Sequence, residues 1–257
     1  MYWFAGLNDN DSYYKELYIV ALKSSKKTTL LPVLIYNGTD ETFIESVKNI
    51  DPLLQVIIHN PLFSNRPNFM NKPTDWKNTA LGAYLRVDIP KICEIYHIQT
   101  NYVLYTDCDV IFMKDPVEEL LKYKPMYFAC CSEIDCTNFE EFNSGVMLLN
   151  VENMLNTYNM FIDTIDKNHY DYASYDQGAL QSYYKNKVDK LSLLLNHKPY
   201  WGKKDDALIL HYHGPKPRDI VNYINGNVSS NVIYNWLFTM TTEKVWKYYL
   251  FVFTSLK

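Results

Sequence analysis

Three short apolar segments, Tyr2–Leu7, Leu31–Tyr36 and Leu54–His59, open the chain, each rich in aromatic or β-branched residues and separated from the next by a helix-patterned stretch. Strands that follow one another through helical crossovers pair in parallel, and both faces of such a sheet must be covered. The first crossover, Ser12 to Lys23, places Tyr14, Leu17, Tyr18, Ala21 and Leu22 at steps that fit one helical face. The second, Thr39 to Ile50, opens on the cap sequence Thr39-Asp-Glu-Thr42 and aligns Phe43, Ile44 and Val47. The rhythm predicts an α/β chain with a mainly parallel central sheet flanked by helices. With 257 residues and 47% hydrophobic content it can bury a full core in one domain, and no repeat, linker or low-complexity segment divides it.

Beyond the third segment, the Pro- and Asn-rich stretch Asn60–Pro73 predicts a surface loop, and a helix is expected from Trp76 to Val87, interrupted or bent at Pro90. Tyr102–Tyr105 predicts a strand with an acidic segment at its C-terminal end, where open parallel sheets bind ligands. The second half mixes strands (Met126–Cys131, Gly145–Asn150, Ala207–Tyr212) with helices near Met154–Asn168 and Asp176–Asn186.

Charge and composition narrow the partners. A net charge of −4 gives no broad attraction to phosphate backbones, so nucleic acid is not expected as the main partner. The apolar start, Met1 to Leu7, lacks a basic leader and predicts a strand rather than a signal peptide, and no segment approaches the roughly 18 apolar residues of a membrane span. A cytoplasmic protein is expected. The short apolar run Tyr248–Phe253, beside Lys244, Lys247 and Lys257, suits packing on the body or peripheral membrane contact. The cysteines, Cys93, Cys108, Cys130, Cys131 and Cys136, are odd in number and lack C-x-x-C spacing, which predicts buried, reduced thiols.

The chemistry concentrates at Asp107 and Asp109. Two carboxylates two residues apart at a strand end can both reach one hard cation, which in turn can bridge a diphosphate. An Asp-x-Asp triplet is weak evidence alone, since about one is expected by chance at an Asp frequency of roughly 5%. The other triplet, Asp9-Asn-Asp11, reads as an N-cap for the Ser12 helix. The pair at 107 and 109 differs in lying within the apolar run Tyr102 to Met113, where carboxylates are costly without a cation or donors.

The string from Tyr84-Leu-Arg-Val-Asp-Ile-Pro90 through Tyr102-Val-Leu-Tyr-Thr-Asp-Cys-Asp-Val110 resembles the GT-A glycosyltransferases, especially glycosyltransferase family 8, which contains glycogenin and bacterial lipopolysaccharide galactosyltransferases. Asn143-Ser-Gly-Val-Met-Leu-Leu-Asn150 is similar to that family's Asn-x-Gly-Val strand, Asp176-Gln177 to its Asp-Gln pair, and His211-Tyr-His-Gly-Pro-Lys-Pro217 to its closing motif. The closing motif is one residue shorter between Gly214 and Lys216, with Arg218 where the family often has Trp.

The resemblance implies a single GT-A, Rossmann-like domain over residues 1–218, with 219–257 as a helical extension on the same body. It implies transfer of a sugar from a UDP-sugar to a hydroxyl acceptor (glycan, protein or lipid-linked), with retention of anomeric configuration. Asp107, Asp109 and His211 would hold Mn2+, or Mg2+ in its place. Of the two neighbouring imidazoles, His211 rather than His213 has the required spacing to Gly214. Arg86, Asp88, Asn143, Gly145, Gly214 and Lys216 would bind the donor sugar and diphosphate, while Ala5, Gly6, Leu7, Asn8 and Asn10 would hold the nucleoside. Asp176 and Gln177 would stand beside the anomeric carbon, either with Asp176 as nucleophile or with Gln177 steadying the sugar during front-face attack. Two rival readings are a sugar nucleotidyltransferase, which lacks its Gly-rich loop here, and a non-catalytic sugar-nucleotide-binding module.

Overall fold

The computed structural model describes residues 1–10 and 12–257. The opening rhythm is realised as β1 (Tyr2–Asn8), α1 (Ser12–Ser25), β2 (Leu31–Asn37), α2 (Glu41–Ile50) and β3 (Gln55–Ile58). Helix α2 is capped by Asp40, whose carboxylate accepts from the Phe43 N–H. Asp9 does not serve as a cap in this way: its carboxylate accepts from the Tyr36 hydroxyl and the Thr39 N–H and pairs with Lys15. Asp11, the other half of that expected cap, lies outside the described residues.

The stretch expected to be a loop from Asn60 to Pro73 contains one helical turn, α3 (Pro67–Met70). The helix expected from Trp76 to Val87 is split into α4 (Thr74–Ala83) and a 3₁₀ turn, Tyr84–Asp88, before α5 (Ile89–Ile95). Pro90 explains the break. A proline within a continuous helix would crowd the carbonyl four residues back, here that of Arg86, whereas in the first turn of a new helix its missing N–H costs nothing.

The remaining elements are β4 (Tyr102–Thr106), β5 (Val110–Phe112), α6 (Val117–Leu120), β6 (Phe128–Ser132), β7 (Phe142–Asn150), α7 (Val151–Lys167), α8 (Asp176–Tyr183), β8 (Asp189–Lys190) and β9 (Ile209–His211). The central sheet runs β3-β2-β1-β4-β7-β6-β8, and within it β7 alone opposes the common direction. The strand expected over Ala207–Tyr212 is confined to β9 and does not join this sheet; it pairs antiparallel with β5, placing His211 opposite Val110.

Strand alternation sorts the core into two layers. Phe4, Val33, Ile35, Tyr105 and Met147 face α5 and α7, while their neighbours Trp3, Ala5, Leu34, Leu104 and Leu148 face α1 and α2. A third cluster joins Leu17 and Val20 of α1 and Ile111 of β5 to the C-terminal helices α9 (Pro217–Ile224), α10 (Val232–Thr239) and α11 (Glu243–Thr254). Helix α11 turns Trp246, Tyr249 and Phe253 into this cluster and leaves Phe251 exposed. No helix among the described residues is long and apolar enough to cross a membrane. All five thiols are free, and all but Cys136 are buried.

Candidate active site

The acidic pair sits in the turn between β4 and β5. Strand β9 returns beside it with His211, so that one ligand atom from each of Asp107, Asp109 and His211 lies within 4.8 Å of the others. His211 Nε2 stands 3.3 Å from Asp109 Oδ1 and 3.8 Å from Asp107 Oδ2. Burial pushes the Asp109 carboxyl up, but Lys216 and His211 beside it prevail and hold it well below the usual carboxylate range. Its Oδ2 pairs with the Lys216 ammonium, while Oδ1 is buried without a hydrogen-bond partner.

An orphaned carboxylate oxygen among other donors is costly unless something cationic completes it. Gly145 of β7 leaves the room: a Cβ there would fall 2.2 Å from His211 Cε1, 2.7 Å from Asp107 Oδ2 and 3.0 Å from Asn143 Oδ1. That opening follows from a break in strand pairing. Cys130 of β6 faces Met147, but the next residue, Cys131, faces Asn143, so Ser144 to Val146 bow out of the β6–β7 ladder. Two carboxylates and an imidazole around such a space fit a divalent metal.

Arg86, turned inward by the 3₁₀ segment, holds the other side together. Its Nη2 meets Asp107 Oδ1 at 2.9 Å and its Nε meets Asp176 Oδ2 at 2.9 Å. Its Nη1 donates to the Ser144 carbonyl at 2.6 Å, and the guanidinium lies 4.6 Å over the Tyr105 ring. Burial alone would favour its neutral form, but Asp107 and Asp176 reverse that and raise its pKa. Asp176 responds oppositely: burial outweighs the pull of Arg86 and lifts its carboxyl to about 7.

The cleft beside this centre encloses about 580 Å3 and takes in Asn8, Tyr14, Arg86, Asp107, Asp109 and Lys216 among its walls. No protein-family model matches the chain, and no curated protein matches it by sequence. Solved structures match its architecture. The galactosyltransferase LgtC, crystallised with donor and acceptor sugar analogues, gives a TM-score of 0.65 at 16% identity, covering 92% of this chain and 100% of that one. The glycosyltransferase GlyE of Streptococcus pneumoniae gives 0.64 at 18% identity, over 100% of this chain and 64% of that one. Mouse xyloside xylosyltransferase 1 gives 0.57 at 15% identity, over 82% and 96%. The fold is that of the GT-A glycosyltransferases.

Within the GT-A frame the sequence-predicted residues divide. Gly6, Leu7, Asn8, Asn10, Arg86, Asp107, Asp109, His211 and Lys216 line the cleft. Asn8 and Asn10 both donate their side-chain amides to the Asn78 carbonyl. Ala5 is fully buried one residue below the rim, and Gly214 forms a left-handed turn (φ 78°) against Leu237 of α10. Asn143, Gly145, Asp176 and Gln177 form the layer behind the metal-ligand candidates rather than the cleft wall. Asp88, expected beside the donor sugar, stands apart: its carboxylate is taken by His59 Nε2 at 2.8 Å, the Leu62 N–H at 2.8 Å and the Tyr158 hydroxyl at 2.5 Å.

Gln177 is held at both ends. Its Oε1 accepts from the Ser144 N–H at 2.9 Å, and its Nε2 donates to Glu133 Oε2 at 3.0 Å. Glu133 in turn meets His213 Nε2 at 2.8 Å, and His213 Nδ1 meets the Tyr200 hydroxyl at 2.7 Å. The Glu133 carbonyl, with that of Ser132, receives the buried Lys198 ammonium. Sequence reasoning found neither Glu133 nor Asn196, whose amide lies between His211 and Asn143. No motif or periodicity marks either residue.

Proposed function

We propose that the chain is a metal-dependent glycosyltransferase that moves a sugar from a UDP-sugar to a hydroxyl acceptor. The observation that carries this reading is the orphaned Asp109 oxygen inside a carboxylate–carboxylate–imidazole cluster at the rim of a cleft in a GT-A fold. LgtC, solved with donor and acceptor sugar analogues, supports a two-substrate reaction.

In the reaction the bond between the anomeric carbon and the diphosphate oxygen breaks, a glycosidic bond to the acceptor oxygen forms, and the acceptor proton leaves with UDP. A divalent cation at Asp107, Asp109 and His211, with Mn2+ favoured by the mixed oxygen and nitrogen donors, would neutralise charge developing on the departing diphosphate. Lys216, which pairs with Asp109, is placed to turn to a diphosphate oxygen instead. The carboxamides of Asn8 and Asn10 would meet the base and ribose.

Front-face attack with retention is the favoured course. Asp176 is 2% exposed and its Oδ2 is engaged by Arg86, which disfavours it as a nucleophile. Gln177, fixed at both ends by Ser144 and Glu133, would brace the layer behind the sugar rather than act as a reactive group.

A panel of UDP-sugars assayed with Mn2+ or Mg2+, reading UDP release with and without hydroxyl acceptors, tests the reading. One donor is expected to be turned over, with activity lost on chelation and restored by the metal. Asp107→Ala with Asp109→Ala is expected to abolish turnover; undiminished activity in that double variant would refute the metal site, and an inverted product would refute retention.

A further inference from the structure

We infer that Asn196 is a positioning residue for the metal centre, fixing the His211 ring so that Nε2 presents a lone pair toward Asp107 and Asp109. The inference rests on the metal-dependent reading above and adds to it a residue outside every motif.

The side-chain orientations follow from one backbone group. The Gly145 N–H can only donate, and it meets Asn143 Oδ1 at 3.2 Å, which settles which end of the Asn143 amide is oxygen. That same oxygen lies 2.9 Å from Asn196, so Asn196 must present its nitrogen there. The oxygen of Asn196 therefore points the other way, 2.9 Å from His211 Nδ1. An amide oxygen only accepts, so Nδ1 carries a proton, and Nε2 is the nitrogen available for a metal.

The backbone makes this arrangement rigid. His197, next in the chain, donates its N–H to the Ile209 carbonyl at 2.9 Å and accepts from the His211 N–H at 2.8 Å, lacing the Asn196 turn alongside β9. Asn196 is 0% exposed and His211 is 1% exposed, so bulk water does not compete for the contact. Metal-bound imidazoles are commonly oriented through the ring nitrogen that faces away from the ion, and loss of that partner weakens metal binding by about 10- to 100-fold. Through Asn143 the same amide also reaches Gln177, at 3.3 Å from Asn143 Nδ2, so one buried side chain ties the metal centre to the layer behind the sugar.

The test uses the full chain and two readouts that do not depend on turnover. Mn2+ titration, followed by the EPR signal of the free ion, is expected to show affinity lowered by about 10- to 100-fold in Asn196→Ala. Imidazole 15N shifts at a pH above about 8, with His211 identified by its loss in His211→Gln, are expected to show the Nδ1–H form in the parent and a mixture in Asn196→Ala. Unchanged Mn2+ affinity in a folded Asn196→Ala, or a parent His211 with its proton on Nε2, overturns the inference while leaving the metal site standing. The tautomer of the parent decides the matter even if Asn196→Ala does not fold. Absence of Mn2+ binding in the parent, or binding indifferent to Asp107→Ala, overturns the metal reading and this inference with it.

Discussion

Replacing Gly145 by alanine removes no ligand and adds one methyl group, yet it should disable the metal centre. The new Cβ would lie 2.2 Å from His211 Cε1, so that pair must separate by roughly 1.3 Å to reach a normal carbon–carbon contact of about 3.5 Å. Two further atoms crowd the same point, Asp107 Oδ2 at 2.7 Å and Asn143 Oδ1 at 3.0 Å, and the His211 ring is tethered to Asn196. Overpacking of a filled site costs about 1–3 kcal/mol. Shed entirely by displacing His211, that strain weakens metal binding by about 5- to 150-fold. Any part retained in the fold lowers the melting temperature instead. Mn2+ titration and thermal denaturation of Gly145→Ala measure the two parts together. Parent-like values in both would show that the cradle yields freely and that its shape does not define the centre.

Two further outcomes follow from the layer behind the cleft. Glu133→Gln replaces the charged acceptor that holds Gln177 and pairs with His213; a hydrogen bond to a charged group contributes about 1.5–3 kcal/mol, so kcat is expected to fall by about 10- to 150-fold with Mn2+ affinity unchanged. Equal losses in kcat and Mn2+ affinity would contradict a role confined to Gln177. Lys198 is buried, which lowers its pKa to about 8 despite the Glu133 carboxylate nearby. Between about pH 8 and the unfolded value the unfolded chain binds the extra proton, so stability rises with pH across that window, and below about pH 8 the penalty of order 3 kcal/mol is fully present. Urea unfolding from pH 7 to 9.5 should show the parent gaining about 2 kcal/mol relative to Lys198→Met; parallel curves would refute a charged, buried Lys198.

The elements that were legible in the sequence are those governed by local pattern. The alternation of β1 to β3 with α1 and α2 declared itself because burial of each face imposes a period that can be counted. The acidic turn and the His211 motif were visible through spacing and resemblance. What escaped was set by contacts distant in sequence. Asp88 was grouped with Arg86 by adjacency, but side chains two apart on a helical turn point to different sides, and Asp88 ends at His59 and Tyr158. Strand β9 gave an ordinary apolar signature that carried no sign of its partner, β5, roughly a hundred residues earlier. Glu133 and Asn196 act through side-chain hydrogen bonds across loops, which leave no periodic trace at all.

The pairing of β5 with β9 also bears on how the molecule is assembled. Asp109 and His211 meet at one end of that two-stranded ribbon but come from strands far apart in sequence, so a growing polypeptide that has emerged only as far as the acidic turn offers two carboxylates and no complete chelate. Closing so long a loop must be endured in entropy before the ion can repay it. A cation at one hundred times its dissociation constant would then add about 2.7 kcal/mol to the finished fold alone. Occupancy of the centre would thus follow completion of the fold, since the third ligand arrives only with the late strand β9.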